Sequence, residues 1–357
     1  MPCFTFSHQL HGTGDAFGNA PTIRPTKQLW ERTRTGPNNQ KTAAFLGTRV
    51  RLAKFEVCKE TDDMTELKLS VVIAVKDALA NLPAIFDRLD FENRTDVEII
   101  LCVAGKAPKS LGDAPRIKLI QSPEASLIPH LWRDGIRVAK ASKVALTTAH
   151  CIPAANWIDV AAAADINRFV AIGGTIENDP NATALNWAIF FLRYLPFSPP
   201  RTHVRVEDVA ADNAVYDRRA IMLESELIDQ GFWEPPFHKR FREANRELCL
   251  NPDLCVVHHG LVSAADFIAQ RREHGREYGL ARAKGASLRN RLVLLLRSPA
   301  LLPLILWRIW HRSSRRVDYR RHFLTAFPWL FVFAFAWSFG EARGYIEALM
   351  HRSERND

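Results

Sequence analysis

The sequence lacks the glycine-rich loops that bind phosphate in many nucleotide-binding proteins: neither a GxGxxG nor a Walker pattern occurs in its 357 residues. It also lacks a CxxC spacing among its six cysteines, and Cys102 and Cys151 lie in apolar, strand-like contexts. We therefore expect reduced, mostly buried thiols in a cytosolic compartment. Residues 1–20 are polar and have no apolar core, so no secretory signal is predicted there.

Positive charge is concentrated in one part of the chain. The composition is otherwise typical of a globular protein with a sizeable core, with 47% hydrophobic and 24% charged residues. Residues 271–321 hold thirteen arginines and one lysine against three carboxylates, a net charge of +11 in a chain whose total is +9. Such a segment binds either nucleic acid or an anionic membrane.

The neighbours of the basic segment favour the membrane. Residues 292–310 and 323–340 are apolar and rich in Trp and Phe, and an arginine-rich loop separates them. Aromatic residues and arginines beside apolar runs are typical of a membrane interface. We therefore expect association with a membrane surface and no nucleic-acid partner.

Two arguments favour helices that lie in the membrane plane or re-enter it. Arg297, Pro299 and Pro303 interrupt the first apolar run, whereas a crossing helix needs about 20 mostly apolar residues. A hairpin of both runs would also carry the arginine-rich loop outside, against the positive-inside tendency. We expect in-plane or re-entrant helices on the cytoplasmic face, with a single crossing by the second run as the alternative.

From residue 67 onward, apolar segments of strand and helix type alternate. The β-branched run at Leu69–Val75 is typical of a strand buried on both faces of a parallel sheet. The pattern predicts further strands at 97–103, 117–120 and 144–146, and helices at 80–89, 127–139 and 153–165. This order predicts an α/β fold that binds its ligands at the carboxyl ends of the strands.

Six segments, taken in order, resemble the family-2 glycosyltransferases, which are inverting enzymes of the GT-A fold. They are LSVVIAVKDALANLPAIFDRL at 69–89, LWRDG with VAKASKVALTTAHCIPAANW at 131–157, GGTIEN at 173–178, ADNAVYDRR at 211–219, GFWEPPFHKRF at 231–241 and FIAQRREHGR at 267–276. The resemblance covers about residues 67–344 and is to a bacterial, membrane-associated branch in which the DxD motif ends in His.

The resemblance implies a Rossmann-like α/β fold of GT-A type, with a mostly parallel sheet and flanking helices, followed by membrane-associated apolar helices. We expect three parts: an irregular N-terminal extension at 1–63, a GT-A domain at 64–285 and basic, apolar C-terminal helices at 286–357. Because Met64 starts a natural domain sequence, the extension is either dispensable or an arm packed on the surface.

The activity implied by the resemblance is transfer of a hexosyl group from a nucleotide-diphosphate sugar to a lipid-linked or polysaccharide acceptor, with inversion. Such a transfer needs a carboxylate to deprotonate the acceptor hydroxyl and positive charge to neutralise the leaving diphosphate. The family motif assigns the role of base to Glu234. The alternative role for Glu234 is that of a carboxylate in the first turn of a helix, stabilised by the helix dipole, since two prolines follow it.

The resemblance also places a metal site after the fourth strand, where this chain reads Thr148-Ala149-His150. His150 takes the place of an acidic ligand, and His258 is the candidate second imidazole, with packing in the core as its alternative. Imidazole binds Mn²⁺, whereas Mg²⁺ prefers oxygen donors. Because the triplet has no carboxylate, two readings stay open: a divalent metal, or arginines and lysines that replace it.

The remaining candidates are contacts to the nucleotide-sugar. They are Lys76, Asp77, Thr148, Asp212, Asn213, Gln270 and Arg271. Lys76 and Asp77 are included because the second strand ends without the Asp that commonly contacts the nucleotide in this family. For Lys76 and Asp77 the alternative is a surface turn. For Asp212 and Asn213 it is a plain turn or an N-cap, and for Gln270 and Arg271 it is a solvated helix face.

A second function remains open beside catalysis. A degenerate transferase fold that binds without catalysing could serve as a scaffold in an envelope or exopolysaccharide assembly complex. The missing acidic pair and the missing second-strand Asp favour the scaffold, whereas Glu234 in its matching context favours an enzyme.

Overall fold

The computed structural model describes residues 67–90, 93–107, 117–199, 202–260 and 262–353. The predicted N-terminal extension and the start at Met64 lie outside these residues. So do Cys3 and Cys58, while the other four cysteines are free thiols, three of them buried. The described residues belong to one compact unit.

A nine-stranded sheet forms the centre of the described structure. Its strands are β1 (Leu69–Val75), β2 (Val97–Ala104), β3 (Ile117–Ser122), β4 (Lys143–Thr148), β5 (Cys151–Pro153), β6 (Ala171–Asn178), β7 (Val204–Val206), β8 (Asn213–Asp217) and β9 (Leu248–His258). The order is β3-β2-β1-β4-β8-β6-β9-β5, with β7 paired to β9. Six of these strands run in one direction and β5, β7 and β8 run against them.

Helices cover both faces of the sheet. They are α1 (Leu82–Leu89), α2 (Ile128–Val138), α3 (Trp157–Ala162), α4 (Ala184–Arg193), α5 (Arg218–Leu223), α6 (Ser225–Asp229), α7 (Glu234–Glu243), α8 (Ala264–Ala283), α9 (Leu288–Arg297), α10 (Leu301–Ser313) and α11 (Val317–Ser353). All of β1 is buried, and its alternate side chains pack with α1, α3 and α4 on one face and with α2 and α7 on the other. The predicted α/β class with a mostly parallel sheet is confirmed.

One predicted helix is shorter than expected. The sequence predicts a helix at 153–165, but α3 begins only at Trp157, because Cys151–Pro153 pairs with β9 as the edge strand β5. Proline has no backbone N–H to donate, so it is tolerated at the end of such an edge strand. This short strand places His150 next to the end of β9.

The C-terminal apolar runs are helical, as predicted. Two stretches, Leu288–Ser313 and Val317–Met350, are long and apolar enough to cross a membrane by length and composition. A break at Ser298–Ala300, which contains Pro299, separates α9 from α10. The most apolar part of the second stretch is half buried within the protein, where α11 packs along α8, α10 and α4.

The α8–α11 contact is built from glycines. Gly340 lies against the carbonyl of Arg272 and Gly344 against that of Arg276, so the two helices run parallel. On α8, Gly275 and Gly279 lie equally close to the α11 backbone, and an added Cβ at any of the four would overlap a carbonyl oxygen. Small residues four apart let helix backbones approach this closely. The predicted boundary between the GT-A domain and the C-terminal helices falls at residue 285, and this contact joins α8 to α11 across it. The division of the chain into three parts stays a prediction.

Candidate active site

The topology brings the predicted site residues to one edge of the sheet. β1 and β4 are parallel neighbours, so Asp77 and Thr148 follow strands that end side by side. β8 begins beside the end of β4, where Thr147 pairs with Asn213, and this places Asp212 next to Thr148. The ends of β6 and β9 meet at the same edge, where Asn178 pairs with His258. These predicted residues therefore lie together where parallel strands end, and their binding of a ligand stays a prediction.

His150 and Asp77 are hydrogen-bonded to each other at this edge. The His150 Nε2 atom contacts Asp77 Oδ1, and its Nδ1 lies 3.3 Å from the carbonyl oxygen of His259. The hydrogen bond from His150 is the main cause that lowers the pKa of Asp77. Asn81 holds the turn by donating to the Ala149 carbonyl at 2.9 Å. Lys76 lies exposed beside this pair.

Asp212 and Asn213 have different surroundings. The Asp212 carboxylate accepts hydrogen bonds from the Tyr194 hydroxyl at 3.0 Å and the Thr148 hydroxyl at 3.4 Å. Asn213 is fully buried: its amide nitrogen donates to the carbonyls of Thr175 and Leu254, and its oxygen accepts from Trp157. Every polar atom of the Asn213 side chain therefore holds the sheet together, and only Asp212 is left to face a ligand.

Glu234 is a buried carboxylic acid at the first residue of α7. Its side chain is 5% exposed, and its Oε1 accepts a hydrogen bond of 3.0 Å from the backbone N–H of Ala211. Burial raises the pKa of Glu234 to about 7, and the negative charge of Asp212 acts in the same direction. A carboxyl group that titrates near neutrality can accept a proton from a hydroxyl and release it to water.

A hydrogen-bonded chain that the sequence did not reveal lies behind Glu234. His238, one turn further along α7, is buried and bonds Asp208 through Nδ1 and the Tyr216 hydroxyl through Nε2, both at 3.1 Å. Tyr216 also packs edge to face on Phe232, which precedes Glu234 by two residues. These contacts fix the start of α7, and with it the position of Glu234.

Two arginines supply positive charge beside the site. Arg193, the last residue of α4, donates to Gln270 at 3.4 Å and lies over the ring of Phe267. Arg271 follows Gln270, is 7% exposed, and lies over the Trp337 ring at 4.2 Å; its buried Nε has no hydrogen-bond partner among the residues that the structure describes. Sequence analysis predicted Gln270 and Arg271 but missed Arg193. A single arginine that ends the apolar run ALNWAIFFLR was the available signal.

The donor atoms at the DxD position do not fit a divalent metal. Both ring nitrogens of His150 already contact protein oxygen atoms, Nε2 that of Asp77 and Nδ1 that of the His259 carbonyl. Thr148 brings no charge, and the Thr148 and Tyr194 hydroxyls both donate to Oδ1 of Asp212. His258 is buried, and the centroid of its ring lies 6.0 Å from that of the His150 ring. Within the part of the chain that the structure describes, no three His, Cys, Asp or Glu side chains are grouped as metal ligands.

Comparison with known proteins finds similar chains among the solved structures. No protein-family model and no curated protein matches the sequence. Among solved structures, the chain is similar to a mannosyltransferase, PcManGT from Pyrobaculum calidifontis in complex with GDP-Man and Mn²⁺. The two are 13% identical with a TM-score of 0.40, over 89% of this chain and 93% of that chain.

Proposed function

We propose that the protein is a membrane-associated glycosyltransferase that moves a sugar from a nucleotide-diphosphate donor to a lipid-linked or polysaccharide acceptor with inversion. The observation that carries the proposal is Glu234, a buried carboxyl group whose pKa is raised to about 7. It lies next to Asp212, at the edge of the sheet where parallel strands end. The resemblance of the surrounding Phe232-Trp233-Glu234 motif to the family's base supports the same role.

The proposed reaction is a single displacement. The ionised Glu234 accepts the proton of the acceptor hydroxyl while that oxygen bonds to the anomeric carbon of the donor sugar. The bond from this carbon to the diphosphate breaks on the opposite face, and the electron pair leaves with the nucleoside diphosphate. Attack opposite the leaving group inverts the configuration. The positive side chains near the edge stabilise the charge that develops on the diphosphate.

The C-terminal helices support a membrane-bound acceptor. Large apolar side chains of α9, α10 and α11 are exposed, among them Leu296, Trp307, Leu324, Phe335 and Phe339. Together with the arginines of the same helices, they form a surface that suits the interface of an anionic bilayer. We assign this surface to the cytoplasmic face of the cell membrane, because nucleotide-sugar donors are cytoplasmic.

The scaffold hypothesis is the second candidate, and one observation favours it. The DxD position carries no metal-ligand set among the described residues, whereas the resemblance implies one. A scaffold has no use for a proton acceptor, so turnover that depends on Glu234 separates the two functions.

The test is release of nucleoside diphosphate from a panel of UDP-, GDP- and TDP-sugars by the full-length protein in nanodiscs, with membrane lipid extract as the acceptor source. We expect one donor to be turned over, and Glu234→Gln to lower kcat about 10²- to 10⁴-fold with donor binding retained. Gln keeps the acceptor atom for the Ala211 N–H, so the variant is close in shape. The exposed Glu226→Gln is the matched control. Donor binding without turnover would favour the scaffold.

A further inference from the structure

Arg271 is a buried cation without a counterion among the described residues. Its side chain is 7% exposed, its Nε has no hydrogen-bond partner among these residues, and its guanidinium lies over the Trp337 ring at 4.2 Å. Moving an ionised group out of water is costly unless an opposite charge or hydrogen bonds compensate for it. The aromatic contact compensates for only a small part of this cost. The position is thus built for an anion.

Arg193 brings a second positive charge to the same place. It contacts Phe267 and Gln270, which lie on α8 directly before Arg271. Burial first, and then the charge of Arg193, lower the pKa of Arg271 to about 9. The two positive charges repel each other, and neither arginine forms an ion pair with a carboxylate in the part of the chain described. An anion bound between the two arginines would compensate both for the burial of Arg271 and for the repulsion between the two positive charges.

The arginine pair adjoins the edge of the sheet where Asp212 and His258 lie. Tyr194 directly follows Arg193; its hydroxyl donates to Asp212 at 3.0 Å, and its ring centroid lies 4.9 Å from that of His258. Arg193 itself donates to Gln270, the residue before Arg271. Arg193 therefore lies between this edge of the sheet and the part of α8 that carries Arg271. This is the edge at which a nucleotide-sugar would present its diphosphate.

We propose that Arg193 and Arg271 bind the diphosphate of the nucleotide donor directly, in the role that a divalent metal has in metal-dependent transferases. The proposal rests on the function proposed above and specifies its donor site. Two guanidinium groups can each donate two parallel hydrogen bonds to phosphate oxygens. The His150–Asp77 pair then occupies the place of the missing metal ligands, because each partner satisfies the other.

Binding without catalysis tests the proposal. Isothermal titration of the full-length protein in nanodiscs would measure inorganic pyrophosphate and UDP, GDP and TDP, each with EDTA and with Mn²⁺. We expect one nucleoside diphosphate to bind in EDTA, with a Kd within threefold of its value in Mn²⁺. Arg193→Gln and Arg271→Gln should each weaken binding about 10- to 100-fold, the loss expected for a charge-assisted hydrogen bond. The exposed Arg168→Gln removes the same charge elsewhere and should change Kd less than threefold.

Three results would overturn the proposal. They are binding that requires Mn²⁺, arginine variants that bind as well as the Arg168→Gln control, and tighter binding of an isoprenyl diphosphate such as geranyl diphosphate than of every nucleoside diphosphate. The last would assign the arginines to a lipid-linked acceptor. Arg193 is only half buried and lies outside the α8–α11 contact, so Arg193→Gln decides the matter if Arg271→Gln fails to fold.

The outcomes for this site and for the proposed function are separable. Metal-dependent sugar transfer that is lost in Glu234→Gln would overturn the arginine site and leave the transferase standing. Metal-free diphosphate binding without any sugar transfer would leave the arginine site standing and favour the scaffold.

Discussion

At the scale of single residues, Glu234 links catalysis to stability. Burial raises its pKa in the folded protein to about 7, from an ordinary value of 4.5. A folded state that binds a proton more tightly than the unfolded state gains stability at low pH. That stability is fully present below pH 4.5 and is lost as the pH rises through 7. A shift of this size corresponds to about 3 kcal/mol.

Glu234→Gln should therefore stabilise the protein in alkaline solution. Gln cannot ionise, so the variant should gain up to about 3 kcal/mol over the native protein between pH 5 and pH 8.5. Thermal unfolding followed at both pH values measures this gain. The exposed Glu226→Gln is the control for replacing a surface carboxylate. A parallel pH dependence of Glu234→Gln and the native protein would show that Glu234 titrates at its ordinary pKa.

The residues of the site were predictable to different degrees. Asp77, Thr148 and His258 follow apolar runs of strand type, and parallel strands end at one edge, so their meeting follows from the sequence pattern. The burial of Asn213 does not, because it depends on partners contributed by β6 and β9. Arg193 could not be assigned either, since only its tertiary contacts with Phe267 and Gln270 place it near Arg271.

At the scale of elements, the central strands were predictable and the glycine contact between α8 and α11 was not. A strand such as β1, in which six of seven residues are apolar, can be predicted to be buried from its own sequence. The glycines of α8 and α11 are four apart within each helix but more than sixty residues apart between helices. Local sequence predicts a helix with a weak propensity at each glycine. It does not show which helix lies against it.

Gly340→Ala tests the contact by the sign of its effect. In an open helix, this change stabilises by about 1 kcal/mol, because Ala has the higher helix propensity. Here the new Cβ would overlap the Arg272 carbonyl, so we expect a net loss of about 1–3 kcal/mol. Chemical denaturation of detergent-solubilised protein measures it. Ala281→Gly, at an exposed position on α8, reports helix propensity alone. A stabilised Gly340→Ala variant would contradict the close packing.

At the scale of the whole molecule, the packing of α11 limits how the protein can meet a membrane. The stretch Val317–Met350 would be about 50 Å long as a helix, longer than the hydrocarbon core of about 30 Å. One side of this helix is covered by α8 and α4, which belong to the unit that carries the site. The other side exposes Leu324, Phe331 and Phe335. A helix covered on one side by the site-bearing unit fits an in-plane position better than a crossing one.

We therefore predict that both ends of α11 lie on the cytoplasmic side. Val317 and Met350 are exposed near the two ends, so Val317→Cys and Met350→Cys place thiols there without disturbing the packing. In sealed inverted vesicles from expressing cells, a membrane-impermeant maleimide should label both variants above the parent protein, whose own cysteines set the background. In right-side-out vesicles, neither variant should exceed the parent until detergent opens the membrane. Labelling of one end in each preparation would establish a single crossing, and the acceptor surface would then be confined to α9 and α10.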